Sequence, residues 1–248
     1  MELTVVGAGP AYSDDPGSAG AAYLLRHGPE AILLDLGQGA FARLASRIEP
    51  SALEGILISH LHPDHFVDLV ALRHYLLYEF DPPRRVRVLA PAGLSERLDG
   101  LLGEAGFAGA ALDVEALEPG SRHLGSFAVE AGLVTHAPPS FGFRVAAPGG
   151  RRGLVYSGDV GVADDLRPLI RVGDVLLIEA SFGPGPVPSG AEHLDGPQVG
   201  RLADATRPSR VLLTHLQMGF DPAATVAAVR NSFDGPAELV TPGFVTEI

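Results

Sequence analysis

The chain contains no cysteine. Disulfides, thiolate metal ligands and a cysteine nucleophile are therefore all excluded. Tryptophan is also absent, and aromatic residues make up only 6% of the chain. Basic residues are outnumbered, with 18 Lys+Arg against 30 Asp+Glu and a formal net charge of −12. Such a surface repels polyanions unless a basic patch is present. The local basic clusters are Arg84-Arg85-Val86-Arg87, which leads into a strand, and Arg151-Arg152, which sits in a glycine-rich turn. Both read as solvated loops, so nucleic acid is disfavoured as a partner. No apolar run approaches the ~20 residues of a membrane span. The opening Met1-Glu2-Leu3-Thr4-Val5-Val6 reads as a strand, not as a basic leader followed by an apolar core. A soluble cytoplasmic protein with no membrane partner is the expectation. No repeat, coiled-coil pattern or Ser/Pro/Gly linker divides the chain.

What is present is apolar and full of turns. Hydrophobic residues reach 46% over 248 residues, enough for a sizeable core, and 31 glycines and 21 prolines imply many short elements. Apolar patterning predicts strands at 2–6, 20–26 and 30–35, then a short amphipathic helix at 40–48. A helix at 66–78, a strand at 86–90 and a helix at 94–103 follow. Strands at 127–134, 141–147 and 153–157 form a second meander. The remaining elements are a helix at 162–170, a strand at 174–178, a helix at 195–206, a strand at 210–213, a helix at 222–231 and a strand-like end at 237–245. Two similar halves, each a meander followed by alternating strands and helices, fit two sheets face to face with helices outside.

The densest chemistry lies in His60-Leu61-His62-Pro63-Asp64-His65, where four potential metal ligands fall within six residues. The apolar strand Ile56-Leu57-Ile58-Ser59 runs directly into them. Imidazole with carboxylate suits zinc and its first-row neighbours. A competing motif, Gly7-Ala8-Gly9-Pro10-Ala11-Tyr12, follows the first strand. A dinucleotide-binding turn needs a third glycine opening a helix, and that position is Tyr12. These glycines instead fit a loop approaching the rim of the metal pocket.

Five segments, in order, resemble the metallo-β-lactamase superfamily. They are Asp35 ending an early strand, His60 to His65, His136 after Gly132-Leu133-Val134-Thr135, Asp159 in Ser157-Gly158-Asp159, and His215 after Val211-Leu212-Leu213-Thr214. The likeness runs from Thr4 to about Val240. It implies a single α/β (α+β) domain over 1–248, a four-layer αββα sandwich. It also implies two divalent metal ions, Zn2+ first, with Mn2+ or Fe as alternatives. His60, His62 and His136 would hold one ion, Asp64, His65 and His215 the other, and Asp159 would bridge them. Asp35 would orient a ligand or the His60–His65 loop. A hydroxide shared by the two ions would then be the nucleophile of a hydrolase.

Further segments are similar to the ribonuclease Z-like phosphodiesterase branch. Glu179-Ala180-Ser181 resembles an element whose Glu orients a His, and His193-Leu194-Asp195 resembles the loop carrying that His. Asp64, His193 and Glu179 are accordingly the candidate catalytic residues. Ser140, in the turn after His136, is the candidate substrate-binding residue; it could equally just close that turn. The departures are Ser181 and Leu194-Asp195, where the branch has Thr and Ser-Thr. Residues 66–135 lack the long basic arm of members that process transfer RNA. A small phosphodiester, such as a cyclic nucleotide, is the expected substrate. The alternative is a carboxylic ester, lactone or thioester, and a non-catalytic metal-binding domain ranks below both. Lactonases of this family place a Tyr shortly after the bridging Asp, whereas Val160-Gly161-Val162 follows Asp159 here. The branch also allows a homodimer.

Overall fold

The computed structural model describes residues 1–248. The first half contributes β1 (Glu2–Gly7), β2 (Ala22–His27), β3 (Glu30–Leu34), β4 (Gly55–Leu57), β5 (Val86–Ala90) and β6 (Leu112–Ala116). Strands β1 to β3 pair antiparallel, and β3 to β6 run parallel. The second half repeats the scheme with β7 (Gly120–Leu124), β8 (Phe127–Val134), β9 (Ser140–Ala146), β10 (Leu154–Tyr156), β11 (Val175–Glu179), β12 (Arg210–Thr214) and β13 (Ala237–Leu239). Here β7 to β10 are antiparallel, and β10 to β13 parallel. The last strand, β14 (Val245–Glu247), crosses to the first sheet and pairs with β1. Two seven-stranded sheets result, ordered β14-β1-β2-β3-β4-β5-β6 and β13-β12-β11-β10-β9-β8-β7.

Parallel strands need crossovers, and these place the helices on the outer faces. On the first sheet they are α1 (Phe41–Ala45), α2 (Pro63–Phe66), α3 (Leu69–Tyr78) and α4 (Leu94–Leu102); on the second, α5 (Gly196–Thr206) and α6 (Pro222–Arg230). Three apolar layers follow from strand alternation. Ile32 and Leu34 of β3 face Leu177 and Leu212 of the other sheet in the middle layer. Their neighbour Leu33 packs outward with Leu69, Leu72 and Leu98. In the second sheet Val211 and Leu213 pack outward with Val199 and Leu202 of α5. Strands β3, β4, β11 and β12 are buried on both faces, which is why they read as unbroken apolar runs.

The expected αββα sandwich is therefore the fold, with corrections in its elements. The helix expected at 66–78 is two helices, α2 and α3, because the chain re-anchors between them: the Asp68 amide donates to the Leu36 carbonyl. The helix expected at 162–170 is one 3-10 turn, Ala163–Leu166, followed by Pro168. Strands β6 and β7 were not expected. Each is an edge strand whose polar residues face water, so it lacks the apolar signature of the interior strands. The strand-like stretch 237–245 is split between two sheets by a turn at Pro242-Gly243.

Candidate metal centre

Asp35, His60, Asp159, Glu179 and His215 each lie at or just beyond the carboxyl end of a strand whose next neighbour is parallel, β3, β4, β10, β11 and β12. His136 follows antiparallel β8. Crevices at strand carboxyl ends are the usual ligand sites of such sheets. The His60–His65 loop is locked from below. The Leu36 amide donates to the His65 carbonyl at 2.8 Å and the Ala21 amide to the Asp64 carbonyl at 2.9 Å. Gly37 packs so closely that an added Cβ would stand 1.8 Å from that Asp64 oxygen.

The structure brings all seven expected ligands into two adjoining groups: His60, His62, His136 and Asp159, and Asp64, His65, His215 and Asp159. In the first group, His62 Nδ1 lies 3.1 Å from His60 Nε2 and 3.2 Å from His136 Nε2. In the second, His215 Nε2 lies 3.3 Å from His65 Nε2 and 3.1 Å from Asp64 Oδ2. Ligands about 2.0–2.1 Å from a tetrahedral ion stand about 3.3–3.4 Å from one another. Asp159 divides its carboxylate between the groups. Oδ1 is 3.4 Å from His65 Nε2 and 3.5 Å from His215 Nε2, and Oδ2 is 3.6 Å from His60 Nε2 and 3.8 Å from His136 Nε2. Oδ1 is buried and has no hydrogen-bond partner.

A second set of bonds turns the imidazoles the right way. His65 Nδ1 donates to Asp35 Oδ2 at 2.7 Å, and His136 Nδ1 donates to the Glu192 carbonyl at 2.8 Å. Ser59 Oγ donates to Asp35 Oδ2 at 2.7 Å and can accept from His60 Nδ1 at 3.1 Å. Ser181 Oγ donates to Glu179 Oε2 at 2.5 Å and can accept from His215 Nδ1 at 3.1 Å. With each Nδ1 so engaged, the Nε2 lone pairs of these four histidines point into the cluster. Lone pairs facing one another at such distances repel unless a cation lies between them, so the donor set fits divalent ions.

The electrostatics agree. Burial weighs against an ionised Asp159, yet His215, His65 and His60 hold its carboxyl well below the usual range. Burial likewise opposes charge on His65, but Asp159 and Asp35 outweigh it and raise that imidazole well above its ordinary value. Burial and the neighbouring imidazoles push His60 and His62 the other way, below their ordinary values, despite Asp159.

Asp35 does not reach the clusters. It is fully buried in the left-handed region, φ +58, and both its oxygens are taken. Oδ1 accepts from the Ser59 amide at 2.6 Å; Oδ2 accepts from Ser59 Oγ, His65 Nδ1 and, at 2.6 Å, the Tyr156 hydroxyl. Asp35→Asn isolates the charge, because Asn also tolerates that backbone. It should keep the fold but weaken metal binding ~10–100-fold in a chelator competition. Unchanged affinity would reduce Asp35 to a turn residue.

Glu179 and His193 also meet. Glu179 is fully buried and its Oε1 accepts from His193 Nδ1 at 2.9 Å. The remaining Glu179 bonds come from the amides of Val160, Ser181 and Leu194 and from Ser181 Oγ. Asp159, Glu179 and His193 are close enough to hold an ion as a third group, but these bonds leave Glu179 committed. The His193 side chain is 20% exposed and lies beside His136. Of the two readings open for Ser140, its position matches the turn-closing one. It is buried, and its hydroxyl donates to the Ala137 carbonyl at 2.6 Å, which closes the turn before β9. Sequence reasoning missed Tyr156, Ser59 and Ser181; their one signal is a polar group at the end of an apolar strand. The glycine loop after β1 does reach the site: the His215 amide donates to the Ala8 carbonyl at 3.0 Å.

Residues 30–216 match the Beta-lactamase superfamily domain family. The uncharacterized protein Rv1339 of Mycobacterium tuberculosis is 33% identical over 235 residues, covering 91% of this chain and 84% of that protein. The chain belongs to the metallo-β-lactamase superfamily. The crystal structure of the metallo-beta-lactamase fold protein YhfI from Bacillus subtilis superimposes with a TM-score of 0.87 at 21% identity, over 99% of both chains. That of the short form of human tRNase Z does so with a TM-score of 0.77 at 23% identity, over 100% of this chain and 99% of the other.

Proposed function

We propose that this protein is a binuclear metal-dependent hydrolase that cleaves small phosphodiesters. His60, His62 and His136 would hold one ion and Asp64, His65 and His215 the other, with Asp159 serving both. Two such divalent ions, Zn2+ first by the imidazole-rich donor set, would supply Lewis acidity and activate a water nucleophile near neutral pH.

The observation that carries the substrate class is the Glu179–His193 pair beside the clusters. Seven other side chains satisfy both clusters, so His193 is not needed as a ligand. Glu179 fixes Nδ1 as the donor side of the ring, which leaves Nε2 to face a bound substrate. There it stabilises a non-bridging phosphate oxygen, or gives a proton to the departing alkoxide. The related fold of a tRNase supports phosphodiester chemistry, and the surface charge of −12 favours a small substrate over a transfer RNA. Between His65 and His136 most of the chain is taken up by α3, β5, α4 and β6 to β8.

A parallel assay of the metal-loaded protein tests this reading. Bis-p-nitrophenyl phosphate should turn over faster than p-nitrophenyl phosphate, a carboxylic ester, a lactone or a thioester. A lactone turned over orders of magnitude faster than any phosphodiester would transfer the assignment to carboxylic ester chemistry.

A further inference from the structure

A cleft of about 160 Å³ opens beside the metal centre. Leu61, Ala92, Pro138 and Pro139 give it carbon walls, and His62 and Arg97 share its lining. Small-molecule sites usually span ~300–1,000 Å³, so a cleft of this size accepts one ring or group of a larger ligand. His62 belongs to the first ligand cluster, so the cleft opens directly beside it and can seat another part of a molecule reacting there.

Arg97 lies on α4 and, like most arginines of the chain, pairs with no acid. Its Nη1 instead donates to the Leu61 carbonyl at 2.7 Å. Leu61 lies between His60 and His62, so the guanidinium is pinned to the metal loop itself. One N–H is used, and the rest of the planar fork stays free. A second phosphate would call for several converging donors, but this cleft offers a single cation between carbon walls. A flat ring with polar edges fits better, because a guanidinium can stack on its face or bond its edge.

We infer that this cleft is the subsite for the nucleobase of a nucleotide substrate and that Arg97 selects for it. The inference rests on the phosphodiesterase reading and names the substrate class for that site. Arg97 is a specificity-determining residue here; it takes no part in bond cleavage.

The test compares adenosine and guanosine 3′,5′-cyclic phosphates with the base-free ribose 3′,5′-cyclic phosphate. All three are assayed on metal-loaded wild type, Arg97→Ala and Arg97→Lys. In wild type the base should improve kcat/KM by roughly 5- to 100-fold, the scale of one base-stacking contact. Arg97→Ala should erase that preference by raising KM for the nucleotides. Arg97→Lys should not restore it, since an ammonium lacks the planar fork. The proposal is overturned if wild type shows no preference for the base, if Arg97→Ala keeps the preference, or if Arg97→Lys recovers it fully. Hydrolysis of the base-free diester by wild type reports separately on the phosphodiesterase reading. Should no diester turn over, calorimetric binding of nucleoside 5′-monophosphates against ribose 5-phosphate decides the subsite. Arg97-dependent binding of the base supports it, and equal binding removes it.

Discussion

Asp159→Ala should leave at most one metal ion per chain after gentle purification and lower kcat/KM by at least about 10³-fold, at or beyond the upper limit for loss of a single stabilising donor. The reason is its position. The two Asp159 oxygens diverge, one toward His65 and His215 and the other toward His60 and His136. No other side chain belongs to both ligand clusters. Two cations close together repel, and the carboxylate between them offsets that repulsion. Alanine removes the offset from both at once, so loss at one cluster should be accompanied by weakening at the other. Elemental analysis beside activity checks this. Two ions retained with activity unchanged would remove the case for a shared ligand and, with it, for a binuclear site.

His193→Ala should keep both ions and still lose about 10²–10⁴-fold in rate on an alkyl phosphodiester, the usual scale for a positioned acid or base. Burial opposes a proton on this ring, but its bond to Glu179 and the charges of Glu179 and Asp159 outweigh it and raise its pKa. A protonated imidazole is a donor at both nitrogens, one held by Glu179 and the other free for substrate. An alkoxide leaves poorly without a proton; a nitrophenolate needs none. The loss should therefore be much smaller on bis-p-nitrophenyl phosphate than on the alkyl diester. Equal losses would leave His193 an electrostatic role only. No loss on either substrate would make it an ordinary loop residue and remove the main support for the phosphodiesterase reading.

The residues of the clusters were legible in the sequence because each advertises itself locally. Four sit within one hexapeptide, and His136, Asp159 and His215 each follow an apolar strand that the alternation of short elements already predicts. What holds those residues in place was not legible. Tyr156 reaches Asp35 across 121 residues, and Tyr23 meets Thr214 across 191. Such pairs depend on how the two sheets face each other, which no local pattern encodes. The edge strands β6 and β7 were hidden for a related reason: burial on one face at most leaves them as polar as a loop. For Ser140 two readings were open, and the bond to Ala137 is the turn-closing one.

The division of ligands between the sheets carries one more consequence. His60, His62, Asp64 and His65 come from the first sheet, and His136, Asp159 and His215 from the second. Neither half holds a complete cluster, so an ion seated in either one would be gripped from both sides of the sandwich. A cation held there would act as a rivet across the seam, and prying the sheets apart would then mean breaking metal–ligand bonds as well as exposing the apolar middle layer.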